Sequence, residues 1–148
     1  MPEAYAGYAA PTARVPRTLW AHTHEDGAND YPPVLNLSTT HMAYVIIPDN
    51  WNGLDKLYLW LLGAGAEQIT INVTVDIGTC DEAYNIHTQT VNGLTPTLAA
   101  NEYECVDLTT THAAVLANLA ARDVIRVTVT HVAGDEAHMS IGIELQET

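Results

Sequence analysis

The chain has 148 residues, of which 47% are hydrophobic and only 16% are charged, and this composition suits one globular domain with its own core. Its formal net charge is −13, from five basic and eighteen acidic residues. A surface of this sign repels phosphate backbones and anionic lipid, so we expect no nucleic-acid and no membrane partner. No apolar run approaches the roughly 20 residues of a membrane-spanning helix. The first residues also lack the basic and apolar segments of a secretory signal.

Residues 1–33 differ from the rest of the chain because they hold five of its seven prolines. Proline removes a backbone donor and favours extended backbone, so this segment is predicted to be an extended N-terminal arm that crosses the domain or a neighbour. Only residues 18–24 have a pattern that allows strand pairing. The predicted anchors of the arm are Tyr5, Tyr8 and Trp20. The alternative is a disordered tail.

Residues 34–148 show short apolar segments separated by turn signals, which is typical of a β-sandwich domain. Strands are predicted at 34–38, 41–47, 54–62, 69–77, 88–92, 102–108, 123–131 and 138–146. The segment 69–77 alternates strictly between apolar and polar residues, which places one face in a core and the other in water. The segment 54–62 is apolar on both faces. It is therefore either central in the sandwich or covered by a partner, and Tyr58, Trp60 and Leu62 are its candidate contact residues.

Two short helices are predicted between strands. Thr79 and Glu82 form a capping box that starts the first helix. The second helix is predicted at 111–120, started by the threonine run at 109–111. Helical crossovers between strands favour an all-β, two-sheet jelly-roll (Greek-key) sandwich with an extended N-terminal arm. The two cysteines, Cys80 and Cys105, are expected to be buried free thiols, with a disulfide between them as the alternative.

Several strings of residues resemble a known kind of domain. They are the Pro48-Asp49-Asn50-Trp51-Asn52-Gly53 turn, the following strand with Trp60, the segment from Gly78 to Tyr84, and the strand entry from Ala99 to Leu108. Together they resemble a small jelly-roll domain of tailed-bacteriophage virion structural proteins, over about residues 34–145. The resemblance implies a structural role in a particle, as a decoration, turret or fibre protein, without catalytic residues.

Candidate sites for chemistry are few. His22-Thr23-His24-Glu25 places two imidazoles on one strand face, as in a cupin metal site, but the acidic residue follows too closely for the cupin spacing. The sequence contains no nucleophile elbow and no phosphate-binding glycine loop. We therefore expect no catalytic residue, no metal site and no cofactor. A cupin-type metalloprotein is the third hypothesis.

The leading hypothesis is a structural virion protein, a capsid decoration or surface protein that is made in the host cytoplasm and placed on the virion surface. Its expected partners are further copies of itself, as a homotrimer, and the major capsid protein or other virion proteins. The expected interface residues are Tyr5, Tyr8, Trp20, Tyr58, Trp60 and Leu62. The second hypothesis is a lectin-like module that stacks glycans on Trp51 and Tyr31. Trp60 is expected to be more enclosed than Trp51, because Trp60 lies in the middle of a strand.

Overall fold

The computed structural model describes residues 16–22, 34–35, 40–64, 69–79, 86–96, 103–134 and 137–148. Over these ranges the chain forms nine strands and two short helices. The strands are β1 (Thr18–His22), β2 (Val34–Leu35), β3 (Thr40–Ile46), β4 (Leu54–Ala64), β5 (Ile69–Gly78), β6 (His87–Leu94), β7 (Tyr103–Asp107), β8 (Val124–Gly134) and β9 (Ala137–Glu147). The helices are α1 (Leu108–Thr111) and α2 (Ala113–Leu116). The predicted all-β class is confirmed.

The strands form two antiparallel sheets. The first sheet has the order β1-β9-β4-β7, with β2 also paired to β9, and the second has the order β3-β8-β5-β6. Strand pairs are therefore nested: β1 pairs with β9, β3 with β8, β4 with β7, and β5 with β6. This nesting is a long hairpin rolled into two layers, which is the predicted jelly roll.

The core lies between the two sheets and follows the period-two pattern of the sequence. In β4 the inner face consists of Leu57, Leu59 and Leu61, each with no exposed surface. The neighbouring strand β9 contributes alternate apolar residues at the same level, and β5 and β8 contribute theirs from the opposite sheet. Strand β4 lies between β9 and β7, so its inner face packs in the middle of the sandwich. This is one of the two arrangements that the sequence predicts for this strand. Among the described strands, none forms a second layer over its outer face.

Part of the predicted arm belongs to the first sheet. Strand β1 pairs with β9 over five residues, from the Thr18–Gln146 pair to the His22–Gly142 pair, and its residues Leu19 and Ala21 pack against the core. The sandwich therefore includes residues that the sequence placed in the arm. Residues 1–15 and 23–33 lie outside the described residues, so the boundary at residue 33 stays a prediction there.

The predicted helix at 111–120 starts earlier and is interrupted. Helix α1 begins at Leu108 because the carboxylate of Asp107 accepts a hydrogen bond from the Thr109 amide at 2.8 Å, so Asp107 is the N-cap rather than the threonine run. His112, at the junction of α1 and α2, is fully buried. The helix predicted after Thr79 falls on residues 80–85, which lie outside the described residues.

Candidate interaction surface

The outer face of the first sheet brings together three of the predicted interface residues. Strand register aligns Trp20 with Glu144, Glu144 with Tyr58, and Tyr58 with Asp107, so these four residues form one row across the sheet. The next row is His22, Gly142, Trp60 and Cys105. Residues of one row point to the same face because side chains alternate along each strand. We call these two rows the outer aromatic face.

Two indoles of the outer aromatic face contact each other across β9, one from the edge strand β1 and one from β4. The ring centroids of Trp20 and Trp60 are 6.4 Å apart, with planes inclined by 37°. Their strands, β1 and β4, flank β9 and are thus separated by two strand spacings, about 9.5 Å. The rings therefore lean towards each other over β9. Gly142 is the residue of β9 directly beside Trp60 and places no side chain next to that ring.

A buried carboxylate fixes the orientation of Trp60. Glu144 is only 7% exposed although it belongs to the outer face. One of its oxygens accepts a hydrogen bond from the indole Nε1 of Trp60 at 2.8 Å, and the other accepts one from the Gln146 amide at 2.7 Å. These bonds satisfy a carboxylate that would otherwise be costly to bury. Trp20, by contrast, keeps 56% of its surface exposed beside this fixed ring.

The rim of the outer aromatic face is polar. Lys56 Nζ lies 3.7 Å from Asp107 Oδ2, and both side chains are about 40% exposed, at 39% and 42%. Cys105 is a free and exposed cysteine, so the expectation that it is buried is wrong, and Cys80 lies outside the described residues. Partial desolvation, together with the charges of Glu144, Asp107 and Glu104, raises the pKa of the Cys105 thiol. The thiol is therefore protonated and weakly nucleophilic at neutral pH.

The remaining predicted interface residues are only partly accounted for. Tyr58 is partly buried on the same face. Leu62 continues β4, in register with Ser140, but its side chain is not among the described ones. Tyr5 and Tyr8 lie outside the described residues. Sequence reasoning did not single out Glu144 or Gly142, because their importance comes from the position of β9 between β1 and β4.

The turn before β4 has a structural role instead of an open binding surface. The Arg17 guanidinium lies 5.8 Å from the centre of the Trp51 ring and donates from Nε and Nη2 to the two carboxylate oxygens of Glu147, at 3.0 and 3.1 Å. This carboxylate, which is fully buried, also accepts from the Asn52 amide at 2.7 Å and raises the pKa of Arg17. Trp51 packs against the core as well. Both Trp51 and Trp60 are partly buried. Burial alone therefore does not distinguish the two rings in the way that the sequence predicts.

Gly53 completes this turn and connects it to the end of β9. Its φ of 111° is a conformation that L side chains rarely adopt, and its carbonyl accepts from the Thr148 amide at 3.0 Å. A Cβ at this position would lie 3.2 Å from the Thr148 hydroxyl oxygen. The Pro-x-x-Trp-x-Gly string thus forms a turn that links the start of β4 to the end of β9.

Basic side chains are fully engaged in the described part of the chain. Each of the four pairs with a carboxylate: Arg17 with Glu147, Lys56 with Asp107, Arg122 with Asp49, and Arg126 with Asp76. The Arg126–Asp76 pair is the shortest, at 2.7 Å, and Thr88 also donates to that carboxylate. These ranges therefore present no unpaired basic patch.

Histidines do not converge on a metal site within the described ranges, where no group of three possible ligands was found. The imidazole of His112 instead bonds the Val73 carbonyl through Nε2 at 3.0 Å and Thr111 through Nδ1 at 2.9 Å. Burial lowers its pKa. His131 is fully buried on the inner face of β8, and neither of its ring nitrogens has a hydrogen-bond partner among the described residues. Of the His22–His24 pair, His22 ends β1, and His24 lies outside the described residues.

Comparisons with known proteins add no family to these observations. The chain matches no protein-family model, and no curated protein sequence matches it. In the part of the chain that the structure describes, no helix has the length and apolar character needed to cross a membrane. The family resemblance in the sequence therefore remains a hypothesis, and the fold shown by the strand order is the all-β sandwich.

Proposed function

We propose that this protein is a structural subunit that associates with copies of itself through the outer aromatic face, and that it serves as a surface or decoration protein of a virus particle. The observation that carries the self-association is Trp20, an indole that is fixed against Trp60 and yet 56% exposed. Large aromatic side chains placed on a rigid sheet are typical anchors of protein interfaces. Covering Trp20 would remove its remaining apolar surface from water.

Charge favours a second copy as the occupant of this face. Two chains that each carry −13 repel one another, so they approach most easily where charge is neutralised. On the outer aromatic face, Asp107 is paired with Lys56, and the charge of Glu144 remains but is shielded from a partner because Glu144 is buried under hydrogen bonds. Because that pair offers one cation and one anion side by side, a symmetry-related copy can exchange partners across the contact. Closed symmetry is the usual result, and a trimer is the proposed state.

The placement on a virus particle rests on the family resemblance of residues 34–145 and on charge. Capsid or other virion proteins are the proposed further partners. A position away from packaged nucleic acid agrees with the net charge and with the pairing of every described basic residue. Co-sedimentation of the purified protein with virus particles tests this part independently of self-association.

Sedimentation equilibrium tests the contact itself. We expect Trp20→Ala to weaken association about thirtyfold, since an interface anchor contributes about 2 kcal/mol or more. Ile46→Ala is the matched control, because Ile46 is 72% exposed on the outer face of the second sheet. Equal association constants for the two variants, or a wild-type chain that stays monomeric at high micromolar concentration, would refute self-association through this face.

A glycan-binding module is the second candidate, and the exposed indole of Trp20 favours it. An indole that lies open beside polar groups can stack on the apolar face of a sugar ring. Trp51, the residue expected for this role, has the Arg17 guanidinium over its ring and packs against the core. Glycan binding that is lost in Trp20→Ala but retained in Trp51→Phe, in a monomeric protein, would favour this candidate over assembly.

A further inference from the structure

A cleft opens at the side of the sandwich where the edge strands of the two sheets meet. Strand β6 is an edge of the second sheet, and β7 is an edge of the first. The cleft between them encloses about 290 Å³ and is bordered by Leu94, Pro96 and Val106. The hydrogen bond from the Ile69 amide to the Pro96 carbonyl, at 3.2 Å, fixes the wall formed by the end of β6. This volume is at the small end of ligand sites and suits a single side chain or a short-chain molecule.

One carboxylate oxygen in this cleft has no partner. Glu104 is opposite Leu61 in the register of β7 and β4, so its side chain points to the inner side of the first sheet, where it lines the cleft. Glu104 is partly buried as a whole, but its Oε2 atom is buried, and no donor of the described residues lies within hydrogen-bond distance of that atom. A buried acceptor without a protein partner is rare in folded proteins, and such an atom generally bonds water, an ion or a ligand.

No basic residue of the described ranges is available to neutralise Glu104. Lys56, on the neighbouring strand, is directed to Asp107, and the three arginines pair with other carboxylates. Burial is the main cause of the raised pKa of Cys105, and the charges of Glu144, Asp107 and Glu104 add to it, so the surroundings of the cleft are acidic. The cleft therefore combines an apolar wall with an unpaired anion.

We propose that the cleft between β6 and β7 binds an ammonium or guanidinium group carried on a short apolar stem. The stem lies against Leu94, Pro96 and Val106, and the cationic head donates a hydrogen bond to Glu104 Oε2. A charge-assisted bond in a partly desolvated site is stronger than a neutral one, so the cation is selected over a neutral isostere. The cleft shares Cys105 and Asp107 with the edge of the outer aromatic face, but the proposed contacts of the cation, at Glu104 and Val106, lie on the inner side of β7. The proposal therefore does not depend on the proposed assembly function.

Such a group has two possible sources, a free amine or guanidine and a basic side chain of a protein. Within this chain the remaining basic residue is Arg14, which lies outside the described residues. It cannot reach the cleft of its own chain: three residues from Arg17 span at most about 11 Å. Arg17 bonds Glu147, which is aligned with Leu54 at the start of β4, whereas Glu104 is aligned with Leu61. Leu54 and Leu61 are seven residues apart, so the distance along β4 between these two positions is about 23 Å. Arg14 would therefore have to come from a second copy.

Titration of the ¹⁵N-labelled protein with n-butylguanidinium tests the site. We expect saturable shifts of the amides at 94–95 and 104–107, at least tenfold weaker binding in Glu104→Gln, and no binding of n-butylurea. Asp55→Asn is the matched control, because it removes the same charge from an exposed position. Equal affinity in Glu104→Gln and wild type, or shifts spread over other carboxylates, would overturn the proposal and leave water as the partner of Glu104.

The source is distinguished by sedimentation of Arg14→Ala and Glu104→Gln. If both variants weaken self-association equally, the bound cation is the Arg14 of a second copy. If n-butylguanidinium binds wild type and neither variant changes association, the site takes a free ligand or the side chain of another protein. Circular dichroism of Glu104→Gln confirms that the fold is retained.

Discussion

Replacement of Trp60 separates the two contributions that hold the outer aromatic face together. Trp60→Ala removes a partly buried ring that also donates a hydrogen bond to Glu144. Loss of about 150 Å² of buried apolar surface at ~25 cal/mol per Å², corrected for the compactness of the unfolded chain, costs about 2–3 kcal/mol. Leaving Glu144 buried with one donor fewer adds about 1 kcal/mol. The expected loss in the free energy of unfolding is therefore about 3–4 kcal/mol.

Trp60→Phe isolates the polar part of this loss. The phenyl ring retains most of the apolar contact with Trp20 but has no donor for Glu144, so we expect a loss of about 1–2 kcal/mol. Both variants are compared with wild type by urea unfolding, at a concentration where sedimentation shows monomers, and Ile46→Ala serves as the exposed control. An unfolding midpoint of Trp60→Phe equal to that of wild type would show that the bond to Glu144 contributes nothing. A loss below about 1 kcal/mol in Trp60→Ala would show that the ring is not buried.

Three further predictions concern the arm, pH and salt. Deleting residues 1–15 should leave the urea midpoint nearly unchanged, whereas deleting residues 1–22 removes β1 from the edge of β9 and should lower it clearly; equal midpoints would show that β1 does not stabilise the sheet. Because burial lowers the pKa of His112, the neutral imidazole is favoured in the folded state, so its contribution to stability is complete above the unfolded value near 6.5 and is lost as pH falls below it. Urea midpoints at pH 7.5 and 5 check this, and His112→Gln should show a smaller difference between them. Molar salt should not dissociate the assembly, since the outer aromatic face associates through apolar contact; complete dissociation in a sedimentation run would indicate an electrostatic contact.

The sequence was sufficient for features that depend on neighbouring residues. Alternation along 69–77 predicts the buried face of β5, and the apolar run at 54–62 predicts that Leu57, Leu59 and Leu61 lie inside. These patterns are local, since a strand places alternate residues on one face whatever its partner is. The start of α1 was missed by a few residues because Asp107 and the threonine run are both good caps, and only the strand end decides between them.

Features that depend on strand order were not predictable. Trp20 meets Trp60 only because β9 lies between β1 and β4, and nothing in either segment indicates this arrangement. The bond of Arg17 to Glu147 likewise joins residues 130 positions apart. The surroundings of Trp51 were not predictable for the same reason. Its aromatic residue looks available in the sequence, whereas the guanidinium that lies over it comes from a distant part of the chain.

The central position of β9 has a consequence for the order in which the chain can fold during synthesis. Strand β9 follows every other strand in the chain and is the hydrogen-bonding partner of β1, β2 and β4. Until β9 leaves the ribosome, β1 and β4 lack the strand that lies between them. The first sheet is then incomplete, and the apolar inner face of β4 cannot be fully buried. The first sheet is therefore closed by its last strand, and a nascent chain that stops before β9 exposes one long apolar strand to its neighbours.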